Sequence, residues 1–554
     1  MTRTTKLPLA TLLALETLLV ASSLQAQNPA PAAVLNPASN IPVGHFNWGI
    51  AQGSIFVVYP AFDQTGKIVG GSLGPATIVT APSLPLGTTL SGTSIKVTVG
   101  SVSVDCPMVY TLKSQVAAVL PSTTPLGAGT LTVTYNGASG STPIRVVGSN
   151  FGISTVDGSG TGAAVVTFPS YQLVDSTHSA KPGDTLVIWG TGLGAANSDA
   201  NIATNGDLKT NITVWIGGVA APLQYRGRSA GPGLDQINVV VPDGVSPGCS
   251  VSLVIQTGGA QSLVLSNTTN IPIMPGGGTC SDPGLTGITP ATISGLLAKP
   301  TARLAALQFQ QDNTISAPTF SASINAIFLS FTQQQLASQL PKLINNTDPS
   351  LGSCQVALVA GNPGGGGGDS LPNATQLDAG ASIVFTAPSG PALTATGTPL
   401  VKGFYGATPT SALSGGAWQA ANGKGGADIA PFSVAFQLAQ PVAWSNKAAS
   451  IDRTQSYLVK WTGGDPNGYV RISGSTGFGN GTGSNGIATF VCTAPAGTGQ
   501  FTIPNTVLGN LGSTGTSFGF FELRGLSTTP VAIPTIDLAF LSWENSTQYS
   551  PAWK

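Results

Sequence analysis

Charge is what this sequence has least of: only 8% of its 554 residues are Asp, Glu, Lys or Arg. The 21 basic and 21 acidic residues cancel and are scattered along the chain. That distribution gives no basic patch for nucleic acid and no acidic tail for a cation-rich partner. It also gives weak electrostatic steering, so a partner would be recognised by shape and neutral hydrogen bonds. Histidine is nearly absent. His45 and His178 are the only two, and a Ser-His-Asp relay needs a histidine held between a carboxylate and a nucleophile. His178, in DSTHSAKPGD, reads as a solvated loop residue, and His45, beside Phe46 and Trp48, reads as packing or a strand edge. Past residue 26 the only glutamates are Glu522 and Glu544. Many aspartates adjoin Gly, Pro or Asn, which suits turns and loops, although a glycosidase built on two Asp stays open. These scarcities point away from an enzyme.

Long apolar runs are absent after the first twenty residues. Arg3 and Lys6 precede Leu7 to Val20, interrupted only by Glu16 and by small or hydroxyl residues, and Ala21-Ser22-Ser23-Leu24-Gln25-Ala26 follows. That is the order of a secretory signal, with cleavage expected after Ala26. Its removal leaves 19 basic and 20 acidic residues, a net charge of −1. No later segment is apolar enough to span a membrane, so the chain is expected to be secreted or held at the cell surface. The five cysteines form no CxxC pair and lie far from both histidines, which argues against zinc. In an exported chain they favour disulfides. Cys249 with Cys280, and Cys354 with Cys492, are the expected bridges, which leaves Cys106 as an odd thiol.

Glycine (72) and proline (41) are abundant beside 41% hydrophobic residues, a composition suited to short strands joined by tight turns. Residues 182–255 show the plan. In Asn211-Ile-Thr-Val-Trp-Ile216 the apolar Ile212, Val214 and Ile216 share one face, because strand side chains alternate with period two. Gly217-Gly218 marks a hairpin, and Pro242-Asp243-Gly244 ends the run Ile237 to Val241. The plan occurs twice. Gly53-Ser-Ile-Phe-Val-Val-Tyr59 lines up with Gly183-Asp-Thr-Leu-Val-Ile-Trp189, Ile95 to Gly100 with Ile212 to Gly217, and Gln115 to Pro121 with Gln236 to Pro242. Short strands at about ten-residue spacing, in two copies of about 120 residues, predict tandem β-sandwiches.

The motifs GTGLG, IGGVAAPLQY and LDQINVVVP closely resemble a paired module of uncharacterised secreted proteins of soil bacteria, similar to the IPT/TIG type of immunoglobulin-like (Ig-like) fold. The resemblance covers about residues 34–282. It implies Ig-like sandwiches in an extracellular setting and carries no catalytic residue. Segments such as LDAGASIVF, GGADIAPFSVAF and WTGGDPNGYVRI resemble the β-rich tails of the same proteins.

The expected organisation is all-β: signal peptide 1–26, a Pro/Ala-rich leader 27–44 with little structure of its own, Ig-like sandwiches 45–148 and 149–275, a linker 276–300, and a larger β-rich domain 301–554. Within the last, Thr332 is expected to cap a short helix from Gln333 to Leu340, and Tyr457–Trp461 and Tyr469–Ile472 are expected to form a hairpin across TGGDPNG. Asn362 to Gly368 reads as a flexible loop.

The expected role is adhesion or scaffolding, without catalysis or a required cofactor, at a surface or in a matrix, through strand edges and loops. The alternative is carbohydrate binding on exposed aromatics, with Trp189, Trp215 and Trp461 as the platforms. A hydrolase with its site in the C-terminal half is a weaker alternative. The partners would be extracellular polysaccharide or cell-envelope components. Calcium is the one ion the residues suggest, through Asp199, Asn201, Asn205 and Asp207 in SDANIATNGD, which offer oxygen ligands but not EF-hand spacing.

Overall fold

A computed structural model describes residues 28–204, 206–258, 262, 264–282, 290–314, 319–337, 348–360, 374–398, 401–479, 485–512 and 519–554. The expected signal segment 1–26, Asn205, the glycine run 362–368 and residues 338–340 lie outside them.

The first body is a two-sheet sandwich. One sheet runs Pro31–Leu35, Ile55–Phe62, Gln115–Val119, Met108–Leu112; the other runs Ala138–Val147, Gly127–Tyr135, Thr93–Val99, with Val102–Asp105 on the far side of Thr93–Val99. In chain order these are the A-B-E-D and G-F-C sheets of an immunoglobulin sandwich. Val34, Phe56, Val116, Ile95, Leu131 and Ile144 meet between them as a fully buried core. The second body repeats the arrangement. Gly152–Ile153, Thr185–Thr191, Asp235–Val240 and Leu223–Arg228 form one sheet; Val219–Ala221, Ile212–Ile216, Gly248–Thr257 and Thr269–Ile273 form the core of the other. Each pair of segments aligned in the sequence occupies the same place in its sandwich. Ile212, Val214 and Ile216 face the core, and Thr213 and Trp215 are half-buried on the other side. The Gly217-Gly218 turn pairs Ile216 with Val219, with φ of +55° and +78°; both central residues of such a tight hairpin need positive φ, which glycine adopts without strain.

The Pro/Ala-rich stretch is not a structureless leader. Pro31–Leu35 is the edge strand of the first sandwich, antiparallel to Ile55–Phe62, and Val34 is completely buried. Proline is tolerated at the first position of an edge strand, where no partner requires its missing N–H. The stretch 276–300 is likewise not a simple linker. It contains Cys280, bridged to Cys249, and a two-turn helix, Pro290–Leu297, which opens on proline as first helical positions favour.

The C-terminal half is organised on one long sheet. Its order is Cys354–Ala360, Asn485–Pro495, Tyr469–Gly479, Gly519–Val531, Leu538–Tyr549, Thr301–Thr314, Thr319–Thr332, Val401–Ala407, Leu393–Thr398, Ser382–Thr386, Gly416–Ala421, Ser433–Leu438. The closing strand Leu538–Tyr549 joins parallel to Thr301–Thr314 and antiparallel to Gly519–Val531. Two cores share this sheet. One gathers Phe309, Phe328, Phe385, Trp418 and Trp543; the other gathers Trp444, Trp461, Phe490, Phe521 and Trp553. Phe309 meets Trp418 edge-on, with ring centres 5.2 Å apart at 77°, the geometry that ring quadrupoles favour.

The expected hairpin across TGGDPNG does not form. Tyr457–Thr462 pairs with Ala443–Trp444 and Gln500–Ile503 in a small covering sheet, whereas Tyr469–Gly479 belongs to the long sheet. The turn-rich connection carries the chain from one layer to the other, so Val459 and Trp461 pack onto Val470 and Ile472 across the core. Cys354 and Cys492 stand directly opposite each other on adjacent strands and are bridged; Cys106 is free and buried.

Thr332 does cap a helix. Its Oγ1 accepts from the Gln335 N–H at 3.2 Å, and Gln335 Oε1 accepts from the Thr332 N–H at 2.9 Å. This reciprocal pair is a capping box. Thr332→Ala is expected to cost about 1 kcal/mol of local stability, read as faster amide exchange at Gln335. Unchanged exchange there would refute the cap.

Candidate binding cleft and interdomain joints

The three bodies are fastened pairwise by polar groups at or beside their interfaces. Between the sandwiches, the Asn36 amide donates to the carbonyls of Asn150 and Thr191 at 3.2 and 3.1 Å. Arg228 and Asp235, both buried, form an ion pair on adjacent strands of the second sandwich. The guanidinium also donates to Gly53 O of the first sandwich at 2.7 Å and to Gly194 O at 2.6 Å. The carboxylate accepts from the Gly192 and Leu193 N–H groups at 2.7 and 2.8 Å. GTGLG and LDQINVVVP are therefore two halves of one device: a loop with Gly192 and Gly194 at φ of +115° and +126° aims two amides at the aspartate. Burial pulls the Arg228 pKa down to about 10, which leaves it charged at neutral pH.

The second sandwich meets the C-terminal half along strand Gly248–Thr257. Asp282 accepts from the Cys249 N–H at 2.7 Å and from the Ser350 hydroxyl at 3.1 Å, while Ser350 Oγ accepts from the Ser250 N–H at 2.7 Å. The first sandwich meets it through His45, whose ring Nε2 lies 2.9 Å from Asn510 O while Nδ1 accepts from the Asn47 N–H at 3.2 Å. Arg453 donates to Leu511 O and lies over the Phe46 ring, 6.0 Å from its centre.

Beside the second of these joints lies a cleft of about 380 Å³. Trp215, the Gly217-Gly218 turn, Ser252 and Val254 form one wall; Phe501, Thr502, Pro504, Asn505 and Thr506 form the other. The Trp215 Nε1–H donates to Gln256 Oε1 at 3.2 Å on the neighbouring strand, which fixes the indole plane. Among the described residues no charged side chain lines the cleft.

The three tryptophans proposed as platforms have different fates. Trp215 lines the cleft. Trp189 is half-buried, donates to Thr167 Oγ1, and is stacked by Tyr171, with ring centres 6.3 Å apart at 23°. Tyr171 is 78% exposed with φ of +66°, so the outward ring at that position is one the sequence reading missed. Trp461 is not a platform. Only 3% exposed, it lies in the core with its Nε1–H donating to Ala496 O, because its strand turns that face toward the long sheet.

Of the residues suggested for calcium, the three that are described serve other partners. Asp199 accepts from the Ser122 N–H and hydroxyl at 2.8 and 2.6 Å, which makes it part of the joint between the sandwiches. Asn201 Oδ1 accepts from the Ile202 N–H, and Asp207 faces Lys209 and Arg226. Among the described residues no group of three or more His, Cys, Asp or Glu could hold a metal.

Glu522 and Glu544 do come together, on adjacent strands rather than in turns. Arg524 holds both, at 2.8 and 3.2 Å, together with Asp312 at 3.2 Å, and the serine hydroxyls of Ser473 and Ser546 donate to Glu522 and Asp312. A paired-carboxylate hydrolase needs its acid and base free to face a substrate, whereas here one guanidinium engages all three carboxylates. His178 meets Asp175 and Thr177 through the same nitrogen, Nδ1, in an exposed loop. A relay uses opposite ring nitrogens. No helix among the described residues is long and apolar enough to cross a membrane.

No protein-family model matches the chain, and no curated protein matches it. Among solved structures it is similar to the full extracellular region of plexin A4, at 12% identity over 43% of this chain and 18% of that one, with a TM-score of 0.16. It thus spans under a fifth of that protein. It is also similar to domains 5-6 of the S-layer protein SbsC, at 15% identity over 45% and 99% of the two chains, with a TM-score of 0.17. Invasin, a bacterial integrin-binding protein, matches at 10% identity over 94% and 79%, with a TM-score of 0.12. The Ig-like assignment rests instead on the strand order of the two sandwiches.

Proposed function

We propose that the chain is a secreted surface or matrix protein, with sandwiches of the IPT/TIG kind, that works in adhesion or scaffolding as one stiff unit. What carries this reading is the fastening of the bodies. Asn36, His45 and Arg228, between 2% and 6% exposed, each cross a joint. Domains on flexible linkers move independently by default; joints closed by buried hydrogen bonds transmit load. The two disulfides suit an oxidising, extracellular setting, and the near absence of charge suits a partner recognised by shape.

Retention of purified residues 27–554 on isolated cell envelopes tests the proposal. Saturable retention, or concentration-dependent self-association in solution, is the expected result. A chain that neither binds envelopes nor associates with itself overturns it.

A further inference from the structure

We infer that the cleft between the second sandwich and the C-terminal half binds a neutral saccharide. This inference is independent of the adhesion reading. Its volume of about 380 Å³ falls in the range, roughly 300–1,000 Å³, of small-molecule sites. Such sites occur preferentially where two domains meet. The lining combines two half-buried aromatic rings, Trp215 and Phe501, with the hydroxyl-bearing residues Ser252, Thr502 and Thr506. It also includes Asn505, whose side-chain amide donates to Thr454 O at 3.3 Å. A sugar ring presents the matching chemistry: an apolar C–H face for an aromatic platform and a rim of hydroxyls that both donate and accept.

The absence of charge selects within that class. A carboxylated or sulfated sugar would give up water without gaining a cation, at a cost of several kcal/mol. A purely apolar ligand would leave the hydroxyl groups of the lining without partners as water left. A neutral polyol meets neither objection. The two platforms are set independently of the ligand. Trp215 is fixed on its strand by Gln256. Phe501 lies on strand Gln500–Ile503, and beyond it the Asn505 N–H donates to Ser456 Oγ at 3.2 Å. Pre-positioned rings lose little freedom on binding. Because one ring comes from each body, an occupied cleft ties the two together and stabilises the joint by mass action.

The test is a titration of residues 27–554, by tryptophan fluorescence and calorimetry, with neutral gluco-, xylo-, manno- and N-acetylglucosamine oligosaccharides and with an oligogalacturonate. At least one neutral series is expected to bind saturably and raise the melting temperature, and the galacturonate to bind far more weakly. Trp215→Ala and Phe501→Ala are each expected to weaken binding about tenfold, the loss of one aromatic contact, with Trp215→Phe restoring part of it. Thr502→Trp, which fills an exposed position of the lining without removing packed atoms, is expected to abolish binding in a folded protein. The inference falls if no neutral series binds, if the galacturonate binds as well, or if binding survives Thr502→Trp. Envelope retention that persists in Thr502→Trp leaves the adhesion reading standing alone, and saccharide binding without envelope retention leaves the cleft alone.

Discussion

Asp235→Ala is expected to destabilise the second sandwich by about 3–5 kcal/mol, the usual cost of removing one partner from a buried ion pair. The reason lies in what is left behind. Arg228 is 6% exposed, so its charge would have no paired carboxylate and little water, with only the neighbouring Asp199 left to offset it. The Gly192 and Leu193 N–H groups, which donate to the same carboxylate, would lose their acceptor as well, at roughly 1–3 kcal/mol for each buried group left unpaired. The fold has alternatives that soften the loss, because Arg228 keeps its bonds to the Gly53 and Gly194 carbonyls, and so the effects do not simply add. Arg228→Ala removes those two bonds but leaves Asp235 its amide donors. It is expected to cost less within the sandwich and more at the joint. Amide exchange separates the two: Asp235→Ala should speed exchange throughout strands Thr185–Thr191 and Asp235–Val240, while Arg228→Ala should act chiefly around Gly53. A change below about 1 kcal/mol for Asp235→Ala, within the range of an ordinary surface substitution, would show that the pair does not hold the loop.

This ion pair marks the boundary of what the sequence makes legible. Period-two alternation is a local property, so Ile212, Val214 and Ile216 announce their face, and the repeated order of such runs announces two equivalent sandwiches. The bridges Cys249–Cys280 and Cys354–Cys492 are legible from position, since the first pair flanks a strand pair 31 residues apart and the second ties the C-terminal region together. The role of Arg228 is not local. One of its partners is a backbone carbonyl 175 residues away, and a carbonyl has no residue-type signature. Pro31–Leu35 was hidden for a related reason: a short run of proline and alanine has the composition of coil, and only the neighbouring strand makes it an edge. TGGDPNG signals a reversal of the chain but not the layer to which it returns, which is why Trp461 reads as an exposed strand end yet lies in a core. The cleft was half visible. Trp215 stands out as the aromatic opposite an apolar face, whereas Phe501 becomes relevant only when two distant bodies meet.

Acidification is expected to weaken the joint between the first sandwich and the C-terminal half, and His45 sets the direction. The ring is 2% exposed. Its neutral form satisfies both nitrogens: Nε2–H donates to Asn510 O and Nδ1 accepts from Asn47 N–H, a tautomer assigned from these partners. A second proton would sit on Nδ1, pointed at another N–H, and would place a positive charge near Arg453. Burial, opposed by the Asn510 bond and reinforced by Arg453, lowers the His45 pKa from 6.5 to about 4. In the unfolded chain the same imidazole takes up its proton near pH 6.5. The folded protein therefore binds fewer protons than the unfolded chain between these values, and stability falls as pH drops. The contribution is complete above about pH 6.5 and is lost through about pH 4, to a total of about 3 kcal/mol. His45→Gln removes the titration while keeping a side chain that can both donate and accept. Across that window its stability should fall by about 3 kcal/mol less than that of the unaltered chain, and amide exchange at Asn47 should lose its acid sensitivity. Parallel stability profiles for the two proteins from pH 7.5 to pH 4 would show that the joint does not sense protons through His45.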